Sequence, residues 1–360
     1  MQILAGPVRF LKLGRRLVFQ LLLHSLDAFY DLFRYLRYSN SFNYSPSDRQ
    51  KLESLLFFYY HKIEKALALP EVKPLFGLGY IETTLDLAER WAQLTCDLKA
   101  VVFRGAYAAL SSYREHVAQP LSQARPDVAH RLDQFLADYA QPDQDPNLGG
   151  TVTISQEEVH ETCQSMNFER FVCRRHSVRN FIERHIPDSA IVQAVKLAQR
   201  TPSVCNRQCW RVHVFTSPAD KARVLQHQNG NEGFGHLADR VLLITADLRS
   251  FISSGERNQA FTDAGMFAMT LILAFEAQGI ASCCLNLSIS AFKDIALHRA
   301  CGIPEWEIPI MMIVIGYPPE SLQVAVSVRK PTESVLSFRD LDQESRHDQQ
   351  PARTPPGLGG

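Results

Sequence analysis

Apolar residues recur at intervals of three and four through most of residues 1–140, and β-branched runs are scarce, so this part of the chain is predicted to be helical nearly throughout. Segments 48–69, 81–117 and 126–140 show the periodicity most clearly. The stretch QPDQDPNLGG, Gln141 to Gly150, interrupts it with prolines, glycines and acidic side chains and marks a linker. Beyond it the period changes. Alternating stretches at 211–215, 241–246, 282–287 and 308–315 predict strands, with helical stretches at 187–200, 218–227, 261–278 and 290–300 between them. The expected organisation is an all-α region over 1–140, a linker over 141–155 and an α+β layer domain over 156–340. Residues 341–360 have almost no apolar content and are expected to be disordered.

Two helical segments ask for more than a single chain obviously offers. AFTDAGMFAMTLILAFEAQG, Ala260 to Gly279, is apolar around most of its circumference, so both faces need cover. One sheet covers one face, and a second subunit is expected to cover the other, which predicts a homodimer; a helix buried centrally in a monomer is the alternative. Near the N-terminus, Leu22, Leu26, Phe29, Phe33 and Leu36 recur at helical spacing, with Arg15, Arg16, Arg34 and Arg37 towards the two ends. The uncharged stretch Leu17 to Leu26 is too short to span a bilayer, and no signal-peptide cleavage site follows it. This helix is expected to pack on its own protein or on a partner subunit. The other reading lays it in a membrane interface as a peripheral contact.

Composition narrows the functional classes. Lys+Arg and Asp+Glu both number 38, which lacks the single-sign field that nonspecific nucleic-acid binding needs, so no nucleic-acid partner is expected. The 8 cysteines are scattered, without CxxC pairs or structural-zinc spacing. A reducing, cytoplasmic location and no metal are expected, with the inner face of the membrane as the place of any peripheral contact.

Against that balance, CRRHSVRNF at Cys173 to Phe181 is a local concentration of charge. Arg175, Ser177 and Arg179 fall at i, i+2 and i+4, so an extended chain turns all three to one side, while a helical turn aligns Arg175 with Arg179. Guanidinium forks and a hydroxyl are the donors a phosphate takes, and a solvated basic turn is the bland alternative. Downstream, TPSVCNRQCWRVHVF from Thr201 to Phe215 leads a Pro-Ser turn and an Asn/Gln pair into a strand. Such groups suit the donor-acceptor edge of a flat heteroaromatic, although loop capping would use them equally well.

The order RRHSVRNF, TPSVCNRQCW, a long apolar helix ending in QGIASCCLNLS, then GIPEWEIPIMMIVIGYPPE and SVRKP resembles the nitroreductase family of FMN-dependent oxidoreductases over roughly residues 168–338. The N-terminal half, with YYHKIEKALALP at Tyr59 to Pro70, resembles the helical extension of a subgroup associated with polysaccharide biosynthesis. The resemblance implies an α+β, nitroreductase-like FMN-binding fold, a mixed sheet flanked by helices in a dimer. It implies that Arg175, His176 and Ser177 meet the FMN phosphate and that Arg179 reaches the ribityl chain and the pyrimidine side. Pro202, Ser203 and Asn206 would line the flavin edge, the turn with Asn286 and Leu287 would offer a backbone N–H near N5, and Arg329 would return to the phosphate. NAD(P)H would be the electron donor, a small organic molecule the acceptor, and both subunits would contribute to each flavin site.

The chain departs from the family pattern at Cys209 and Cys284, where prolines are usual, and at Ser327, where a lysine is usual. FMN affinity is therefore expected to be modest. No general acid, general base or nucleophile is nominated, because flavin carries the chemistry. The cysteines near the site are expected to be packing residues, and GNEGFGHLAD at Gly230 to Asp239 is read as a surface loop, since its glycines do not form GxGxxG. Two other functions fit the same residues: a flavin oxidase or dehydrogenase of a glycan or other specialised intermediate, and a non-catalytic scaffold built on a flavin fold.

Overall fold

The computed structural model describes residues 5–40, 48–68, 72–140, 148–151, 167–321, 324 and 331–339, and the chain forms two units, residues 1–323 and 324–360. In the smaller unit the described structure is a single turn at Thr332–Ser334. The larger unit begins with helices α1 (Ala5–Tyr38), α2 (Arg49–Leu67), α3 (Leu78–Thr95), α4 (Val101–His116), α5 (Ala118–Ala124) and α6 (Pro126–Asp138). Asp48 starts α2 by accepting hydrogen bonds from the N–H groups of Gln50 and Lys51. The periodic stretch 81–117 is two helices rather than one. Cys96 takes a left-handed φ of 53°, and the turn is held by Trp91 Nε1 donating to the Asp97 carbonyl at 2.9 Å. Leu56, Ile81, Leu85, Leu110 and Leu132 are fully buried in the core these helices share.

The second half contains α7 (Phe168–Arg174), α8 (Asp188–Ala198), β1 (Trp210–Phe215), α9 (Pro218–Leu225), β2 (Arg240–Asp247), α10 (Gln259–Ala277), β3 (Ala281–Asn286), α11 (Ala291–Cys301) and β4 (Glu307–Gly316). The strands lie in the order β1-β2-β4-β3 and all pair antiparallel. The parallel component of the expected mixed sheet is confined, among the described residues, to one bridge between Ser177 and Ser282. β2 is buried along its whole length, in keeping with its continuous run of apolar and small residues. α10 packs Ala264, Phe267, Ala268, Leu271 and Phe275 on the sheet and turns Phe261, Met266 and Met269 outward, with 50%, 38% and 43% of their surface exposed.

At the end of β4 the chain passes so close to Phe181 that a Cβ on Gly316 would lie 2.6 Å from the ring. Gly316→Ala is therefore expected to destabilise the fold by about 1–3 kcal/mol through overpacking. A urea-melt midpoint unchanged from that of the unaltered protein would refute this.

The N-terminal helix packs on the second half with the opposite face from the one its apolar spacing suggests. Arg34, 4% exposed, donates to the carbonyls of Glu305 and Glu307 at 2.8 and 2.6 Å and to the Asp294 carboxylate at 2.9 Å. Tyr30 donates to the same carboxylate at 2.8 Å, and Asp27 accepts the first N–H of α11 at 2.8 Å. Leu22, Leu26, Phe29 and Phe33 point outward.

Candidate functional site

The basic cluster sits where α7 ends and the chain runs extended along the outer edge of β3. Ser177 bridges Ser282, and Val178 N–H donates to the Ser282 carbonyl at 2.9 Å. That pairing fixes the alternation of the segment. Val178 is buried, whereas Arg175, His176 and Ser177 are half-buried and Arg179 is exposed. Burial pushes the Cys283 thiol above its ordinary pKa, and against it the charge of Arg179, the Ser177 side chain and the charge of Arg175 all pull down. Arg179 Nη1 donates to the Ser177 carbonyl at 3.4 Å, which keeps its guanidinium at that edge.

Arg179 also lies over the Phe234 ring, 5.8 Å from its centroid. His176 Nδ1 is 2.7 Å from the Arg174 carbonyl, which turns its ring away from Arg174's own partner, Glu276. Two guanidiniums, a hydroxyl and an imidazole along one strand edge form a donor set that fits a phosphate monoester.

The second group forms the loop before β1. Cys205, Asn206 and Gln208 have left-handed φ of 49°, 52° and 48°, and none is glycine. Conformations of this kind cost of order 1–3 kcal/mol each and persist where the surroundings fix them. Ser203 Oγ accepts from Gln208 N–H at 3.0 Å, and buried Asp263 of α10 accepts from Val204 N–H at 3.1 Å. Arg207, with a fully buried side chain, forms a two-pronged pair with Glu256 at 2.5 and 3.1 Å and also donates to the carbonyls of Ser250 and Val204. Pro202 and Asn206 are left exposed, and Ser203 half-buried.

Asn286 closes β3, and its carbonyl accepts from the buried Gln228 amide at 3.0 Å; Leu287 follows directly. Arg329 and Ser327 lie outside the described residues. The remaining positions therefore form two groups. Arg175, His176, Ser177 and Arg179 lie on the β3 edge, while Pro202, Ser203 and Asn206 lie on the loop before β1, and no hydrogen bond or ion pair among the described residues joins the two.

Sequence reasoning passed over Arg207, Asp263, Gln228 and Phe234. The signal for Arg207 was a charged residue inside an otherwise neutral VCNRQC stretch. Asp263 was one of two carboxylates in the otherwise apolar α10, the other being Glu276 near its end. Phe234 lies in the stretch read as a surface loop and is buried within it. Cys209 is fully buried, and its burial drives the thiol far above the ordinary range, so it is a packing residue. Among the described residues no cluster of His, Cys, Asp or Glu is arranged to hold a metal. The HKIEK stretch lies on α2, where His61 Nδ1 meets Glu64 at 3.0 Å.

Comparison with known proteins gives this geometry a relative. The sequence model of the nitroreductase family matches residues 172–317. The chain is 25% identical to an NADH dehydrogenase of Thermus thermophilus over 197 residues, 46% of this chain and 93% of that protein. It is also 25% identical to the putative NAD(P)H nitroreductase YodC of Bacillus subtilis over 164 residues, 36% of this chain and 79% of that protein. Among solved structures, a putative NAD(P)H:FMN oxidoreductase of Staphylococcus epidermidis superposes with a TM-score of 0.43 at 22% identity, covering 48% of this chain and 97% of the other.

Proposed function

We propose, from the premise that residues 172–317 form a nitroreductase-family domain, that this protein is an FMN-dependent oxidoreductase taking electrons from NAD(P)H and passing them to a small organic acceptor. The observation that carries the reading is the extended basic segment on the β3 edge, where Ser177 bridges Ser282, Arg179 Nη1 donates to the Ser177 carbonyl at 3.4 Å, and Arg175 and His176 are half-buried. FMN, when bound, supplies the two-electron redox chemistry. Arg175, His176 and Ser177 hold its phosphate, and Arg329 adds a second cation from the far end of the chain. Arg179 would bring positive charge to the pyrimidine side of bound FMN. Pro202, Ser203 and Asn206 line the ring edge, and the turn at Asn286 and Leu287 offers a backbone N–H. Donor and acceptor use one open face in turn.

The separation of the two residue groups is accounted for by a homodimer in which the 202–206 loop of one subunit covers the β3 edge of the other. The outward Phe261, Met266 and Met269 of α10 give that dimer an apolar contact. A cytoplasmic location and a task in polysaccharide biosynthesis are part of the proposal. The latter is supported by the likeness of Tyr59 to Pro70 to the helical extension of that subgroup. In this reading residues 1–140 are the extension, 141–155 the linker, 156–340 the flavin domain and 341–360 a tail.

The test is an absorption spectrum of the purified full-length protein, followed by anaerobic addition of NADH or NADPH. Flavin bands that bleach with a nicotinamide are expected, and light scattering on the same sample is expected to read a dimer. A colourless protein that takes up no added FMN would overturn the flavin reading. A yellow protein that no nicotinamide bleaches would overturn the reductase reading, and a monomer retaining flavin would overturn the shared site.

A further inference from the structure

The largest exposed apolar surface among the described residues lies on α1. Val18, Phe19, Leu21, Leu22, Phe29 and Leu32 each expose more than half of their surface. The helix is already packed, but by its polar face: Asp27, Tyr30, Arg34 and Tyr38 make hydrogen bonds to α11 or to the segment entering β4. An ordinary surface helix has the opposite arrangement, with its apolar stripe on the core. Here the packing partner is satisfied by polar groups, and the apolar side faces away from the protein.

We infer that α1 docks this protein on an anionic phospholipid membrane, lying in the interface with its outward apolar face among the acyl chains. Charge selects this occupant. The first 26 residues of the chain contain Arg9, Lys12, Arg15 and Arg16 and no Asp or Glu. The first carboxylate, Asp27, is turned inward to α11. An apolar face with a cationic, acid-free N-terminal half complements anionic headgroups. A second copy of the same helix laid parallel to it would bring more cations to that half and no anion.

Length and composition place the helix along the surface rather than across it. Its 34 residues extend about 51 Å, well beyond the ~30 Å hydrocarbon layer, and its inward face is occupied by ionised groups. Beside Phe33 the apolar face continues into a cavity of about 470 Å³ whose lining includes Arg37, Ile295, Arg299, Ile303 and Glu305. Apolar walls beside two guanidiniums suit the glycerol and phosphate of a lipid. Arg37 is already braced there, stacked on Phe33 and Tyr38.

Membrane docking is independent of flavin binding and is tested on the full-length protein by flotation with vesicles. Vesicles containing phosphatidylglycerol are expected to carry the protein up the gradient roughly tenfold or more better than pure phosphatidylcholine, and added salt is expected to release it. Phe29→Glu/Leu32→Glu and, separately, Arg15→Glu/Arg16→Glu are each expected to abolish flotation without changing the melting temperature or the oligomeric state. The arginine pair keeps the test valid should the first variant fail to fold. The inference is overturned if the protein floats with neither vesicle, or floats equally with both. It is also overturned if Phe29→Glu/Leu32→Glu splits the oligomer in lipid-free solution, which would assign the face to a second copy.

Discussion

Arg175→Ala is expected to bind FMN about 10- to 150-fold more weakly than the unaltered chain. The estimate follows from the roughly 1.5–3 kcal/mol that a charge-assisted hydrogen bond contributes when the partner is ionised. Arg175 is half-buried beside the β3 edge, where the proposed phosphate site would use its guanidinium. Arg174, one residue earlier, provides the internal control. It turns to Glu276 at 3.1 Å with 63% of its side chain exposed, and Arg174→Ala should leave flavin affinity unchanged. Both values are read by fluorescence titration of the apoprotein. Equal affinity in Arg175→Ala and the unaltered chain would remove the phosphate site from this segment.

The largest loss of stability is expected from Arg207→Ala, at about 3–5 kcal/mol. Its side chain is wholly buried, and removing it leaves the Glu256 carboxylate, 16% exposed, with the Ile252 N–H at 2.8 Å as its remaining hydrogen-bond donor among the described residues. The same change frees two carbonyls that Arg207 now satisfies, those of Val204 and Ser250. It also removes the brace from a loop that keeps three non-glycine residues in left-handed conformations. Urea unfolding measures the loss. Arg207→Ala/Glu256→Ala should cost less than the sum of the two single changes, because the second removes the charge that the first leaves stranded. A loss below about 1 kcal/mol in Arg207→Ala would mean that the pair behaves like an exposed one.

Strands were the most legible part of the fold. Val241 to Ala246 was read from alternation and apolar content, and β2 runs one residue further at each end. The break at Cys96 was hidden because the chain turns there without glycine or proline, using the Trp91 indole and the Asp97 carbonyl, which are apart in sequence and meet only once α3 has formed. The exposure pattern of the basic segment was legible for a local reason: once the chain runs extended along β3, alternation puts Arg175, Ser177 and Arg179 on a shared side. The loop before β1 was legible in position and not in support. Its anchors, Glu256, Asp263 and Ser250, come from 43–59 residues downstream, and hydrogen bonds over that separation leave no periodic trace. The orientation of α1 was hidden for a different reason. Periodicity identifies which side chains share a face, whereas the side that packs was decided by the bare carbonyls at the entrance to β4.

Those carbonyls tie the two halves of the larger unit together more firmly than the composition break around residue 141 suggests. Arg34 stands in, from the far end of the sequence, for backbone donors that the sheet itself does not supply to Glu305 and Glu307. A chain beginning after Asn40 would leave the Glu305 carbonyl without its Arg34 donors, the Glu307 carbonyl with His298 as its side-chain partner, and Asp294 short of both its tyrosine and its arginine. Trimming the protein to residues 172–317 would therefore remove a helix on which the second half is packed, and would change the object being measured.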